Sequence, residues 1–172
     1  MSVEQVKHYL GSFGLDQQVQ EFATSSATVE LAAEALCVAP ARIAKTLSFR
    51  MGDGCVLVVA AGDARVHSSR FKKTFGEKAR MLTPEEVEFH TGHPVGGVCP
   101  FALPNSSVPV YLDESLRRFS TVFPACGSSN SAIEMTPEQL SCVAESRGWV
   151  DVCKDWQPQP DTKDQTSAPG WV

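Results

Sequence analysis

The sequence lacks the features that mark a membrane, secreted or metal-dependent protein. No apolar run approaches the roughly 20 residues that a bilayer-spanning helix needs. The opening Met1-Ser2-Val3-Glu4-Gln5 has neither the basic region nor the apolar stretch of a secretory leader, so the expected location is cytoplasmic. Six cysteines (Cys37, Cys55, Cys99, Cys126, Cys142 and Cys153) fall at wide, irregular intervals without a C-x-x-C pair. That spacing excludes a zinc ribbon or a dithiol redox motif. Apolar neighbours, as in Cys55-Val56-Leu57, predict reduced thiols packed as small hydrophobes. A P-loop, a G-x-S-x-G elbow and an H-E-x-x-H helix are all absent, and metal ligands do not cluster. An enzyme built from this chain works by positioning and electrostatics, without a strong nucleophile.

Positive charge is scarce too. A net charge of −5 argues against a surface that coats nucleic acid broadly. The deficit is uneven, however. Between Arg65 and Arg80, Arg65, Arg70, Lys72, Lys73, Lys78 and Arg80 face only Glu77, an excess of +5 that leaves −10 for the rest of the −5 chain. Such a segment can be a solvated helix face or a contact for one end of an RNA.

With 172 residues, 42% hydrophobic and 20% charged, one globular domain is expected. Ser2 can cap a helix through Leu10, and Thr28 precedes the helix-favouring Val29–Leu36. Thr46–Arg50 and Cys55–Ala61 flank Met51-Gly52-Asp53-Gly54, a hairpin signature. The second of these strands is apolar on both faces and should be central. The basic segment reads as a helix, followed by a short strand at Ala79–Leu82. Thr83-Pro84-Glu85-Glu86 and Thr136-Pro137-Glu138-Gln139 each place a capping threonine before proline and a Glu or Gln at the third helical position. Further strands are expected at Val108–Leu112, Thr121–Ala125, Ala132–Met135 and Trp149–Val152. Short strands interleaved with helices imply a mixed α/β domain over residues 1–154, and the polar, proline-bearing 155–172 should be a mobile tail on which Trp171 could still dock.

Three elements can carry chemistry. If the strand at Thr46 extends back to Lys45, period-two alternation puts Lys45, Leu47 and Phe49 on one face and Thr46, Ser48 and Arg50 on the other. Lys45 then either snorkels with its head in water or opens into a cleft. In Thr91-Gly92-His93-Pro94-Val95-Gly96-Gly97-Val98-Cys99-Pro100-Phe101, three glycines within six residues make either a plain turn or a loop whose amides meet a phosphate or oxyanion. His93 is a hydrogen-bonded loop histidine or a base; Cys99 lacks a histidine–carboxylate partner as a nucleophile. Cys126-Gly127-Ser128-Ser129-Asn130-Ser131 is a turn or a set of hydroxyl and amide groups for a ligand.

Together and in this order, the markers resemble the YbaK/EbsC family of prolyl-tRNA-synthetase-associated editing domains. The resemblance runs from about Thr28 to about Lys154. It is carried by Thr28 before an alanine-rich helix, Ile43-Ala44-Lys45-Thr46-Leu47, Gly96 through Phe101, and Gly127 through Glu134 followed by Thr136-Pro137-Glu138-Gln139-Leu140. It implies a single α/β domain with a mixed, barrel-like sheet flanked by helices. It also implies hydrolysis of the ester between a misattached small amino acid (cysteine, alanine, serine or threonine) and a tRNA, with tRNA(Pro) a candidate and no metal or other cofactor. The implied partners are the acceptor end of aminoacyl-tRNA and a prolyl-tRNA synthetase. Lys45 matches the family's key lysine, and Gly96 and Pro100 match its G-x-x-x-P loop. Lys45, Gly96 and Gly97 are the implied catalytic groups. Phe22, Thr28, Thr46, His93, Cys99, Pro100, Ser128, Ser129 and Asn130 are the candidates for binding substrate, and Arg70, Lys72 and Lys73 for touching RNA. One position departs: where some cysteine-removing members carry aspartate, this chain has Ala132. A non-catalytic module that holds tRNA or a synthetase on the same fold is the competing expectation.

Overall fold

The computed structural model describes residues 2–105 and 107–157. In chain order its elements are α1 (Ser2–Gly11), β1 (Gln20–Glu21), α2 (Val29–Leu36), β2 (Ile43–Met51), β3 (Gly54–Ala61), β4 (Arg65–Val66) and α3 (Ser68–Phe75). There follow α4 (Pro84–Thr91), β5 (Val110–Asp113), β6 (Phe123–Pro124), β7 (Ser131–Ala132), α5 (Pro137–Val143), β8 (Trp149–Val150) and β9 (Cys153–Lys154). Of the expected tail, only Asp155, Trp156 and Gln157 are described; Trp171 lies outside the described residues.

Local chemistry sets the helix starts. The hydroxyls of Thr28, Thr83 and Thr136 accept from Leu31, Glu86 and Gln139 amides, and the latter two caps are full capping boxes. Ser2 departs from expectation. Its hydroxyl donates to Nδ1 of His93, tying α1 to a loop about 90 residues away.

β2 and β3 form the expected hairpin, paired from Ala44–Ala61 to Met51–Gly54. β3 is central in a mixed five-stranded sheet of order β6-β2-β3-β5-β8, whose only antiparallel pair is β2–β3. Its residues from Val56 to Ala61 are almost wholly buried, as two-sided apolarity requires. Two ladders, β1–β7 and β4–β9, lie outside that sheet. The short strand expected at Ala79–Leu82 is an extended segment along β2, held by the Phe49–Met81 bridge, Arg50 N–H to Arg80 O and Leu82 N–H to Ser48 O. On the opposite face of β2, Phe49 packs on Phe71 of α3 at 4.7 Å between ring centroids.

All six cysteines are free. Cys55, Cys99, Cys126 and Cys153 are buried, whereas Cys37 and Cys142 are exposed. No helix among the described residues is long and apolar enough to cross a membrane.

Candidate active site

The N-terminus of α2, one face of β2, the segment into α4, the glycine loop and the β6–β7 connection surround a cleft of about 340 Å³. Small and apolar side chains dominate its walls: Ala27, Ala32, Ala44, Ala125, Ala132 and Phe123 among them. The expected alternation along β2 puts Thr46 and Ser48 on one face, and both line this cleft. Thr46 Oγ1 is buried there without a hydrogen-bond partner among the described residues. Leaving such a hydroxyl unpaired costs about 1–3 kcal/mol. Ser26 and Ser131 add hydroxyls, and among the described residues neither a carboxylate nor an imidazole lines the cleft.

Among the described residues, Lys45 is its sole charged lining residue. The lysine lies between this cleft and a second hollow of about 350 Å³, which it lines with Leu47 and Phe49 of its own strand face. Its head does not simply sit in water. Nζ donates to the carbonyls of Ala64 at 2.5 Å and Gly62 at 3.3 Å. An ammonium carries three donors, so one remains for a ligand. Burial pushes the Lys45 pKa down, while Cys153 and Asp63 pull it up. Asp63 in turn accepts two bonds from the Arg118 guanidinium, at 2.5 and 3.0 Å, which hold its carboxyl below the usual range.

Gly62 is a site residue that sequence reasoning missed. A Cβ there would fall 2.0 Å from the Pro40 carbonyl oxygen and 2.8 Å from Val29 Cγ1. Only glycine lets the end of β3 pass so close to α2 while offering its carbonyl to Lys45. In the sequence, Gly62-Asp63 reads as an ordinary turn, and no local signal sets it apart.

The other expected site residues divide. Gly96 and Thr28 line the cleft, and the Thr28 hydroxyl accepts from the Leu31 amide as the cap of α2. Gly97 does not line it, and its amide donates to Pro94 O, which removes it as an oxyanion donor. Gly97 is needed for another reason: a Cβ would fall 2.6 Å from the Ser128 nitrogen, so the two loops touch through backbone. The amides of Gly96 and Val98, both cleft residues, make no hydrogen bond among the described residues. Gly96 adopts φ +98°, a conformation that favours glycine.

His93 is not a wall of the cleft. It is fully buried, donating from Nε2 to Phe101 O at 2.7 Å and accepting at Nδ1 from Ser2. Burial pushes its pKa down, against the bond to the Phe101 carbonyl, which pushes it up. Cys99 and Pro100 are buried outside the cleft, and desolvation raises the Cys99 thiol to about 12. Phe22, Ser128, Ser129 and Asn130 do not line the cleft either. They brace it: Asn130 Nδ2 donates to Phe22 O at 2.9 Å, and Ser129 O accepts from the Ser26 amide at 2.5 Å. Ala132, the departing position, lies in the wall.

The profile of the aminoacyl-tRNA editing domain family matches residues 23–142. This chain belongs to that family. It is similar to the uncharacterized protein YwhH of Bacillus subtilis (strain 168), 56% identical over 158 residues that cover 91% of this chain and 100% of the relative. A proline–tRNA ligase of Geobacillus sp. (strain WCH70) is 28% identical over 79% of the chain, which spans 24% of that ligase. The fold matches a crystal structure of "a putative trans-editing enzyme for prolyl tRNA synthetase" with TM-score 0.80 and 30% identity, covering 89% of this chain and 97% of that one. The editing-domain protein is accordingly a hydrolase of aminoacyl-tRNA esters, and its mixed sheet flanked by helices is that of the YbaK-like editing fold.

Proposed function

We propose that this editing domain acts in trans, removing a small amino acid (cysteine, alanine, serine or threonine) from the 3′-terminal adenosine of a mischarged tRNA, with tRNA(Pro) as the first candidate. The observation that carries the reading is the convergence of Lys45, the unpartnered Thr46 hydroxyl and Gly96 on one cleft with small apolar walls. The full-length match to YwhH and the similarity to prolyl-tRNA ligases support action in trans on that tRNA.

In this reading the acyl side chain enters the apolar walls, and the free donor of Lys45 anchors the substrate's carbonyl or terminal phosphate. Water attacks the carbonyl carbon, and the oxyanion that forms is met by the amides of Gly96 and Val98. Collapse breaks the bond to the ribose oxygen, which leaves with a proton as the 3′-hydroxyl. Neither a carboxylate nor an imidazole of the described residues lines the cleft, so the neighbouring ribose hydroxyl of the substrate orients the water. An aminoacyl ester is activated enough for so modest a device.

A deacylation screen over cysteinyl-, alanyl-, seryl- and threonyl-tRNA(Pro) tests this. Release of one or more of these amino acids, lost in Lys45→Ala, is the expected result. Tight tRNA binding without turnover of any of the four esters would replace the enzyme reading with a binding module.

A further inference from the structure

Beyond the far end of β2 lies a further, polar hollow, about 310 Å³, lined by Arg50, Lys72, Gly76, Glu77, Lys78 and Arg80. Glu77 is the acid in this lining, and its carboxylate accepts the Gly52 amide at 3.2 and 3.4 Å; Arg50 is paired with Glu86, which lies outside the lining. Lys72, Lys78 and Arg80 have no acidic partner within 4.0 Å among the described residues. Three unpaired cations around one hollow repel each other, and in a protein of net charge −5 they stand out as a place for an anion.

The hollow follows the cleft along β2. Thr46, Ser48 and Arg50 alternate on one face of β2, the first two in the cleft and the third at the hollow. The segment alongside repeats the order: Leu82 and Met81 border the cleft, while Arg80 borders the hollow. Four residues of strand separate Thr46 from Arg50, about 13 Å at the usual rise, a span of a few nucleotides. We propose that this hollow holds backbone phosphate of the single-stranded acceptor end of the tRNA whose aminoacyl group occupies the cleft. The arrangement rests on the deacylase reading for its direction, ester in the cleft and strand running toward Arg80. It also redraws the RNA contact expected from sequence. Only Lys72 of that trio belongs to it, because Arg70 donates to Cys153 O and pairs with Asp151, and Lys73 does not line the hollow.

The test compares wild type with Lys72→Gln/Lys78→Gln/Arg80→Gln on three probes: an uncharged RNA hairpin ending in single-stranded CCA, the mischarged tRNA, and a 3′-aminoacyl adenosine without further phosphates. The hairpin should bind about tenfold more weakly to the variant, with a salt slope flatter by about 2, since each single-strand phosphate neutralised contributes about 0.7. KM for the tRNA should rise alike, with hydrolysis of the aminoacyl adenosine unchanged. An unaltered hairpin affinity and slope would overturn the proposal, as would an equal loss on the aminoacyl adenosine. If wild type leaves both esters intact, the deacylase reading fails, and the hairpin measurement still decides whether the hollow binds RNA.

Discussion

Gly62→Ala is the sharpest test of how the cleft is built, because the new methyl group touches no substrate. Its Cβ would sit 2.0 Å from the Pro40 carbonyl oxygen, short of ordinary contact at 3.4 Å by 1.4 Å. Besides Val29 Cγ1, the nearest atoms are the Pro40 carbonyl oxygen and carbon, so turning a side chain cannot relieve the clash; either the end of β3 or the Pro40 turn must move. Overpacking of this kind costs about 1–3 kcal/mol, and each kcal/mol lowers Tm by about 2–4 °C in a chain of this size. The larger effect falls on Lys45, whose ammonium is held by the carbonyls of Gly62 and Ala64. A displacement near 1 Å of a positioned group costs on the order of 100-fold in rate. Single-turnover deacylation, well below the variant's Tm, should therefore fall by about that factor with tRNA affinity kept. A variant with wild-type Tm and wild-type single-turnover rate would refute the claim that the Gly62 carbonyl positions the lysine.

Thr46→Val removes the buried hydroxyl that has no partner in the free protein. It should raise stability by about 1 kcal/mol in urea unfolding while slowing deacylation about 2–10-fold; a destabilised variant would show that the hydroxyl is already satisfied. Lys45→Met probes the burial that lowers the lysine pKa. Below that lowered pKa both folded and unfolded chains hold the proton and the burial cost stands in full. Between it and 10.5 only the unfolded chain is protonated, so the site's contribution to stability improves with pH. The stability advantage of the Met variant should be largest near neutrality and shrink as pH rises toward 10.5; an advantage that grows with pH would refute the burial argument.

The parts of the fold written in short stretches of sequence were legible. Capping boxes at Thr83 and Thr136, the hairpin at Gly52-Asp53, and the two-sided apolarity of β3 each depend on neighbours a few residues away. The alternation that sends Thr46 into the cleft and Lys45 along the other face is equally local. Illegible were the features made by distant partners. Ser2 looked like a cap because nothing nearby announces His93, and His93 looked available because nothing nearby announces Ser2 and the Phe101 carbonyl. Gly97 was expected to serve through its amide, yet a turn back to Pro94 consumes that donor. Two-residue strands such as β1, β4 and β9 carry too little pattern to read, and their pairings are all long-range.

The separation between cleft and hollow bears on how an editing domain can be selective with so little chemistry. A pocket of alanine, valine and phenylalanine excludes bulk, but it separates neighbours differing by one methylene by only about 1–3 kcal/mol. Binding energy gained from contacts at the acyl group equally in substrate and transition state would tighten KM without raising the rate. On the proposed reading, holding the strand at Lys72, Lys78 and Arg80 would supply affinity shared by correctly and wrongly charged tRNAs alike. That would free Lys45, Thr46 and the Gly96 amide for contacts realised only when an acyl group small enough to seat brings its carbonyl into line. Discrimination then appears in kcat, through alignment, more than in how tightly each tRNA is held.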